Sequence, residues 1–155
     1  MTTNETTARA LTDLLEINRT ATEGYETAAE KTEDGRVKSA LNHFAQQRAG
    51  FQQELQQTAS QLGIRPSEQT TIESVATTAA AAVHRGWINV KSLVTGASTD
   101  AILSECETGD ATALTAYETA LKASDLTPDL RAVLQRQHGQ ILQVKNQVTA
   151  LKSGQ

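Results

Sequence analysis

Residues 36–62 read RVKSALNHFAQQRAGFQQELQQTASQL, and this stretch decides the fold. Val37, Leu41, Phe44, Phe51, Leu55, Ala59 and Leu62 recur at steps of three and four, the spacing that lines one face of an α-helix. Gly63 supplies a left-handed stop and Pro66 a breaker beyond it. A helix with one apolar stripe is stable only when the stripe is covered, so partners of the same kind are required.

The flanking sequence supplies them. Upstream, a helix is expected over about 7–31 on Leu11, Leu14, Leu15, Ala21, Tyr25 and Ala28, punctuated by Asp34-Gly35. Downstream, Thr70 with Glu73 three residues on forms a capping box. It opens a helix over about 71–94 on Ile72, Val75, Ala79, Val83, Val90 and Leu93, which Gly96 closes. A fourth helix, about 98–123, uses Ile102, Cys106, Ala113, Leu114, Tyr117 and Leu121. A fifth, about 128–152, starts with Thr127 as N-cap and Pro128 at the first helical position. Short turns join helices one and two, and four and five, as antiparallel hairpins, while about 35 residues holding helix three separate the pairs. The expected architecture is all-α, a four-helix bundle of two hairpins with a crossover helix. GYETAAE around Tyr25 and AYETALK around Tyr117 suggest that the hairpins are diverged copies.

Composition sets bounds on function. A chain of 155 residues is the size of one domain, so a single domain over residues 1–155 is expected. Scarce aromatics and abundant Ala, Thr, Gln, Glu and Leu favour aliphatic helix packing. A net charge of −4 with interspersed signs offers no basic field for nucleic acid and no cationic stripe for a membrane surface. No apolar run approaches the roughly 20 residues needed to span a bilayer. MTTNETTARA lacks the basic start and apolar stretch of an export signal, so a cytoplasmic protein is expected. The lone Cys106 lies on an apolar stripe and reads as a buried, inert thiol.

LTDLLEIN with EGYETAAE, FAQQRAGFQQEL leading into LGIRP, HRGWINVK, ECETGD with ALTAYETAL, and RQHGQIL together resemble one family. It is the bacterial ferritin-like four-helix-bundle proteins described only as a domain of unknown function. The resemblance spans nearly the whole chain. It implies a ferritin-like fold and supplies no assigned reaction. Members show a carboxylate-plus-His pairing near RQHGQILQVKN; the corresponding positions here are Gln140 and Lys145, a departure from that pattern.

A di-metal centre in such a bundle takes a Glu from each of two helices and a Glu with a His three residues later from each of the others. His43, His84 and His138 have no acidic residue at helical contact spacing. Each long helix instead carries one polar residue within its apolar stripe: Asn18, Arg48, Asp110 and Gln137. Asn18 precedes Tyr25 by seven residues and Asp110 precedes Tyr117 by seven. One carboxylate cannot hold two divalent ions, and a guanidinium repels them. The expectation is a buried polar cluster of Asn18, Tyr25, Arg48, Asp110, Tyr117 and Gln137, with Arg48 paired to Asp110 and no catalytic, cofactor or metal residues. Competing readings put Arg48 on the bundle flank with a wet head, or build a metal site for iron handling or redox work from Glu23 or Glu107. Small-ligand binding inside the bundle is a third.

His84, Arg85, Trp87 and Lys91 form a candidate surface site for an anion or a partner, set against Trp87 acting as an anchor for helix three. The Gln-rich second helix reads either as a solvated face or as an oligomer contact. No Ser-His-Asp arrangement, phosphate-binding glycine loop or CxxC pair can be assembled. The expected class is a non-catalytic structural or interaction protein, with a protein partner or a second copy as its counterpart.

Overall fold

The computed structural model describes residues 3–65, 78–93 and 97–152. Among these residues lie five helices and no strand: α1 (Thr3–Lys31), α2 (Gly35–Leu62), α3 (Thr78–Ser92), α4 (Thr99–Leu121) and α5 (Pro128–Leu151). Asp34 caps α2 by accepting from the amides of Arg36 and Val37, and Gly63, at φ 68°, closes it in the left-handed conformation. Ser98 and Thr127 cap α4 and α5 through their hydroxyls. α1 begins at Thr3, earlier than expected, because the polar start TNETT contains no breaker. The expected capping box of Thr70 and Glu73, the stripe residues Ile72 and Val75, and Gly96 lie outside the described residues. α4 ends at Leu121 and not at 123, and Arg131 from α5 donates to the carbonyls of Leu121 and Ala123, which the end of the helix leaves without an intrahelical donor.

Contacts across the helices fix their directions. Asn18 meets Tyr117 and Tyr25 meets Asp110, so α1 and α4 are antiparallel. Thr22 accepts from Gln52, as an antiparallel α1–α2 hairpin requires. Tyr117 meets Gln137, while Thr149 and Lys152 meet Glu107, so α4 and α5 are antiparallel as well. α2 and α4 therefore run the same way, and the chain has to return along the bundle between them. α3 makes that return beside α1 and α4. One apolar cluster runs through the molecule, from Leu11, Leu14 and Ile17 through Leu41 and Leu55 to Ile102, Leu130, Leu134 and Ile141, with Val83 and Val90 of α3 joined to it.

Trp87 locks α3 in place. Its indole is 2 % exposed and lies against α1 at Gly24 and α4 at Gly109. A Cβ at Gly24 would sit 2.3 Å from the ring and one at Gly109 2.2 Å, so only a helix surface without a side chain admits it. The ring of Tyr25 meets the indole edge-on, with centroids 4.8 Å apart. At the far end of α3, Lys31 Nζ donates to the carbonyls of Val90, Lys91 and Leu93 at 3.0, 2.8 and 2.6 Å. The ammonium binds carbonyls at and just beyond the C-terminus of α3 and sits at the negative end of its dipole.

Gly24→Ala and Gly109→Ala should each lose about 1–3 kcal/mol of stability through overpacking against a rigid ring. Gly50→Ala, where nothing lies within 4 Å of the new methyl, should gain about 0.5–1 kcal/mol from helix propensity. Urea unfolding followed by circular dichroism and by the emission of the single Trp checks the contrast. An unaffected Gly24→Ala protein would remove the wedge from the account.

Candidate functional site: a buried polar centre

Four helices each place one polar side chain where an apolar stripe would continue, because a stripe position in mid-helix faces the bundle axis whatever occupies it. Asn18, Arg48, Asp110 and Gln137 are 1 %, 0 %, 0 % and 0 % exposed. Arg48 Nη1 donates to Asp110 Oδ1 at 2.8 Å and Nη2 to Oδ2 at 3.1 Å, a two-pronged ion pair joining α2 to α4. Tyr25 Oη donates to Asp110 Oδ2 from α1. The guanidinium carbon lies 5.4 Å from the centre of the Tyr25 ring, within cation–π range. Burial opposes the charge on Arg48, and the Asp110 carboxylate more than offsets it, holding the guanidinium's pKa above its usual value.

A second chain of hydrogen bonds lies about two helical turns away. Asn18 Nδ2 donates to Tyr117 Oη at 2.7 Å and to the Leu14 carbonyl at 2.8 Å. Tyr117 Oη donates to Gln137 Oε1 at 2.6 Å. Gln137 Nε2 donates to Glu54 Oε1 at 2.8 Å, and Arg136 pairs with the other Glu54 oxygen at the bundle's edge. The two chains are related by a crossed register. Asn18 and Tyr25, seven apart on α1, meet Tyr117 and Asp110, seven apart on antiparallel α4.

Burial, together with the charge on Asp110, pushes the Tyr25 phenol far above its usual pKa. Burial also raises Tyr117, though the hydrogen bond from Asn18 and the charge on Arg48 pull the other way. The Cys106 thiol is raised by burial and by Asp110, so it stays protonated and unreactive.

Other expected positions fall elsewhere. Trp87 does not belong to a surface site: the glycines at 24 and 109 let its ring sink between α1 and α4, leaving His84, Arg85 and Lys91 exposed without it. Glu23 pairs with Arg19 on the outer face of α1. Glu107 binds Lys152 and Thr149; burial opposes its charge, but those hydrogen bonds win and lower its pKa. Neither carboxylate joins the centre, and among the described residues no three His, Cys, Asp or Glu side chains converge. Phe51 packs in the core, and Gln140 Oε1 is buried with no hydrogen-bond partner among the described residues. Two contacts escaped the sequence reading, one at the centre and one on the surface. Glu54 sits one step off the α2 stripe yet accepts from Gln137, and His138 Nε2 lies 3.0 Å from Glu118 Oε2 across the α4–α5 hairpin. Only the three-dimensional pairing reveals either contact.

A di-metal centre does not fit these donors. Asp110 is the one carboxylate among the four central stripe positions, and both of its oxygens are already engaged. The grooves of about 210 Å³ and 460 Å³ beside α4 are lined by residues such as Ala10, Leu14, Ala116, Ala120 and Thr112, and none of the six polar residues lines them.

Residues 6–123 match a family described as Domain of unknown function (DUF2383). The chain belongs to the DUF2383 family. The span shared with the DUF2383 family takes in Asn18, Tyr25, Arg48, Trp87, Asp110 and Tyr117 and stops before Gln137. No curated protein matches the chain.

Replacing Arg48 with Met should cost roughly 3–5 kcal/mol, because the buried Asp110 loses its counter-charge. Arg48→Met combined with Asp110→Leu should recover part of that loss, since an apolar pair removes both desolvation costs while Tyr25 Oη loses its acceptor. A double-mutant cycle measured by urea unfolding checks this, and a double variant as unstable as the single one would rule out the pair as the source. The two tyrosines also make a pH prediction. Their folded pKa values lie above the unfolded value near 10, so the unfolded chain releases protons first. Stability from both groups is therefore complete below pH ~10 and is lost as pH rises beyond it. Tyrosinate absorbance at alkaline pH should appear only together with unfolding; ionisation of a still-folded protein at pH ~10 would contradict the burial.

Proposed function

We propose that the chain is a single-domain, ferritin-like four-helix bundle of bacterial type, cytoplasmic, in which an internal ion pair has taken the position of a di-metal centre. Its role is non-catalytic, structural or in protein interaction. The observation that carries the reading is the two-pronged Arg48–Asp110 pair at the bundle centre. A fixed guanidinium charge there does electrostatically what divalent ions do for the carboxylates of metal-carrying bundles. The course of the chain supports the ferritin-like assignment: two antiparallel hairpins, with α3 returning along the bundle so that α2 and α4 run in the same direction. The competing reading, iron handling or redox work at a remodelled site, requires carboxylates that converge, whereas Glu23 and Glu107 are engaged on the outside.

Elemental analysis of protein purified without chelators tests the proposal. Well under one equivalent of iron, manganese or zinc per chain is expected, and a stoichiometric metal would overturn it. Arg48→Glu should destabilise the fold without conferring metal binding, because the adjacent carboxylates have no imidazole partners.

A further inference from the structure

α3 carries no acidic residue between Thr78 and Ser92, although the chain as a whole has a net charge of −4. Its outward face presents His84, Arg85, Asn89 and Lys91 around Ile88, which is 48 % exposed. Neither Arg85 nor Lys91 forms an ion pair among the described residues. The neighbouring helix has the opposite character. Glu23, Glu26 and Glu30 are exposed on the outer ridge of α1, and Arg19, the cation on that stretch, is shared between Glu16 and Glu23.

The two helices lie side by side and run in the same direction, as the contacts of Trp87 with Gly24 and of Lys31 with the end of α3 establish. Arg85 and Lys91 are six residues apart and Glu23 and Glu30 seven, so the charges are spaced about 9 Å and about 10.5 Å along their axes, at matching levels. Ala82 and Gly86 of α3 face α4, where they meet Thr112 and the groove beside it. The opposite flank, with His84, Ile88 and Lys91, leans toward α1.

We infer that this α1–α3 face docks a second copy of the chain about a two-fold axis parallel to the helices. That operation, and neither of the other two perpendicular axes, stacks the α3 of each copy over the α1 of the other with their levels kept. Arg85 and Lys91 then meet the partner copy's acidic ridge in both directions, and the Ile88 of each copy stands over the other's α1. Such an interface is isologous and self-complementary. Solvated ion pairs contribute little each, so the dimer belongs to the weak class and depends strongly on salt. The inference deepens the interaction reading above and rests on it. It is independent of metal content, so a monomeric protein and a metal-loaded protein are separate failures.

Sedimentation velocity of the full chain, from about 10 µM to about 1 mM at low ionic strength and again in ~0.5 M salt, tests the assignment. A dimer that forms with concentration and dissociates in salt is expected. Arg85→Glu/Lys91→Glu and Glu23→Lys/Glu30→Lys should each be monomeric while keeping native circular dichroism. An equimolar mixture of the two variants should dimerise again, because both sets of charges are restored in the mixed pair. A monomeric wild-type protein at about 1 mM, a dimer that survives Arg85→Glu/Lys91→Glu, or a mixture that stays monomeric would overturn it.

Discussion

A buried guanidinium imposes conditions on everything around it. Removing Arg48 from water carries a desolvation cost of several kcal/mol, and only a partner of opposite charge with good geometry offsets it. Asp110 supplies the charge, Tyr25 occupies remaining acceptor capacity on that carboxylate, and the tyrosine ring gives the guanidinium an electron-rich face. Tyr25 in turn is held by the indole of Trp87 and by Phe44, whose ring centroids lie 4.8 Å and 5.6 Å away. The glycines that admit the indole directly precede the polar residues in sequence, Gly24 before Tyr25 and Gly109 before Asp110. The crossover helix therefore does more than carry the chain from one hairpin to the other. Its indole covers Tyr25 and Gly109, the immediate neighbours of the ion pair, and by excluding water there it helps to keep the local dielectric low.

The two halves of the centre are unequally satisfied. The charged half is paired on both carboxylate oxygens, whereas Asn18 Oδ1, in the neutral half, has no hydrogen-bond partner among the described residues. An unpaired amide oxygen costs far less than an unpaired charge, so the asymmetry falls where the fold tolerates it. Gln137, at the position on α5 that corresponds to Arg48 on α2, passes its donor outward to Glu54 and Arg136, which links the interior to the bundle's edge.

Much of this was legible in the sequence, for a definite reason. A polar residue at a stripe position in mid-helix has nowhere to go but inward, so Asn18, Arg48, Asp110 and Gln137 announced themselves once the stripes were drawn. The seven-residue spacing to Tyr25 and Tyr117 placed the phenols on the same face. Periodicity does not disclose which residue on one helix stands opposite which on another. For that reason the division into two chains, the part played by Glu54, and the contact of His138 with Glu118 appeared only in three dimensions. Trp87 is the instructive case. Its neighbours His84, Arg85 and Lys91 suggested a surface cluster and its indole an anchor for α3; it is an anchor, and the cavity that receives it is made by missing side chains, at Gly24 and Gly109. An absent Cβ leaves no mark on hydropathy.

The separation of the paired residues along the chain also bears on the order of assembly. Arg48 and Asp110 are 62 residues apart, Tyr25 and Asp110 85, and Asn18 and Tyr117 99. Each hairpin can zip from its own short turn, but neither can satisfy its central polar group alone, and loop-closure entropy delays contacts of such length. A collapsed intermediate that brings the hairpins together in the wrong register would trap Arg48 against aliphatic carbon, a far worse penalty than a misplaced leucine. The ion pair therefore discriminates by penalty: it adds little net stability to the correct arrangement and a large cost to any arrangement that buries one partner without the other.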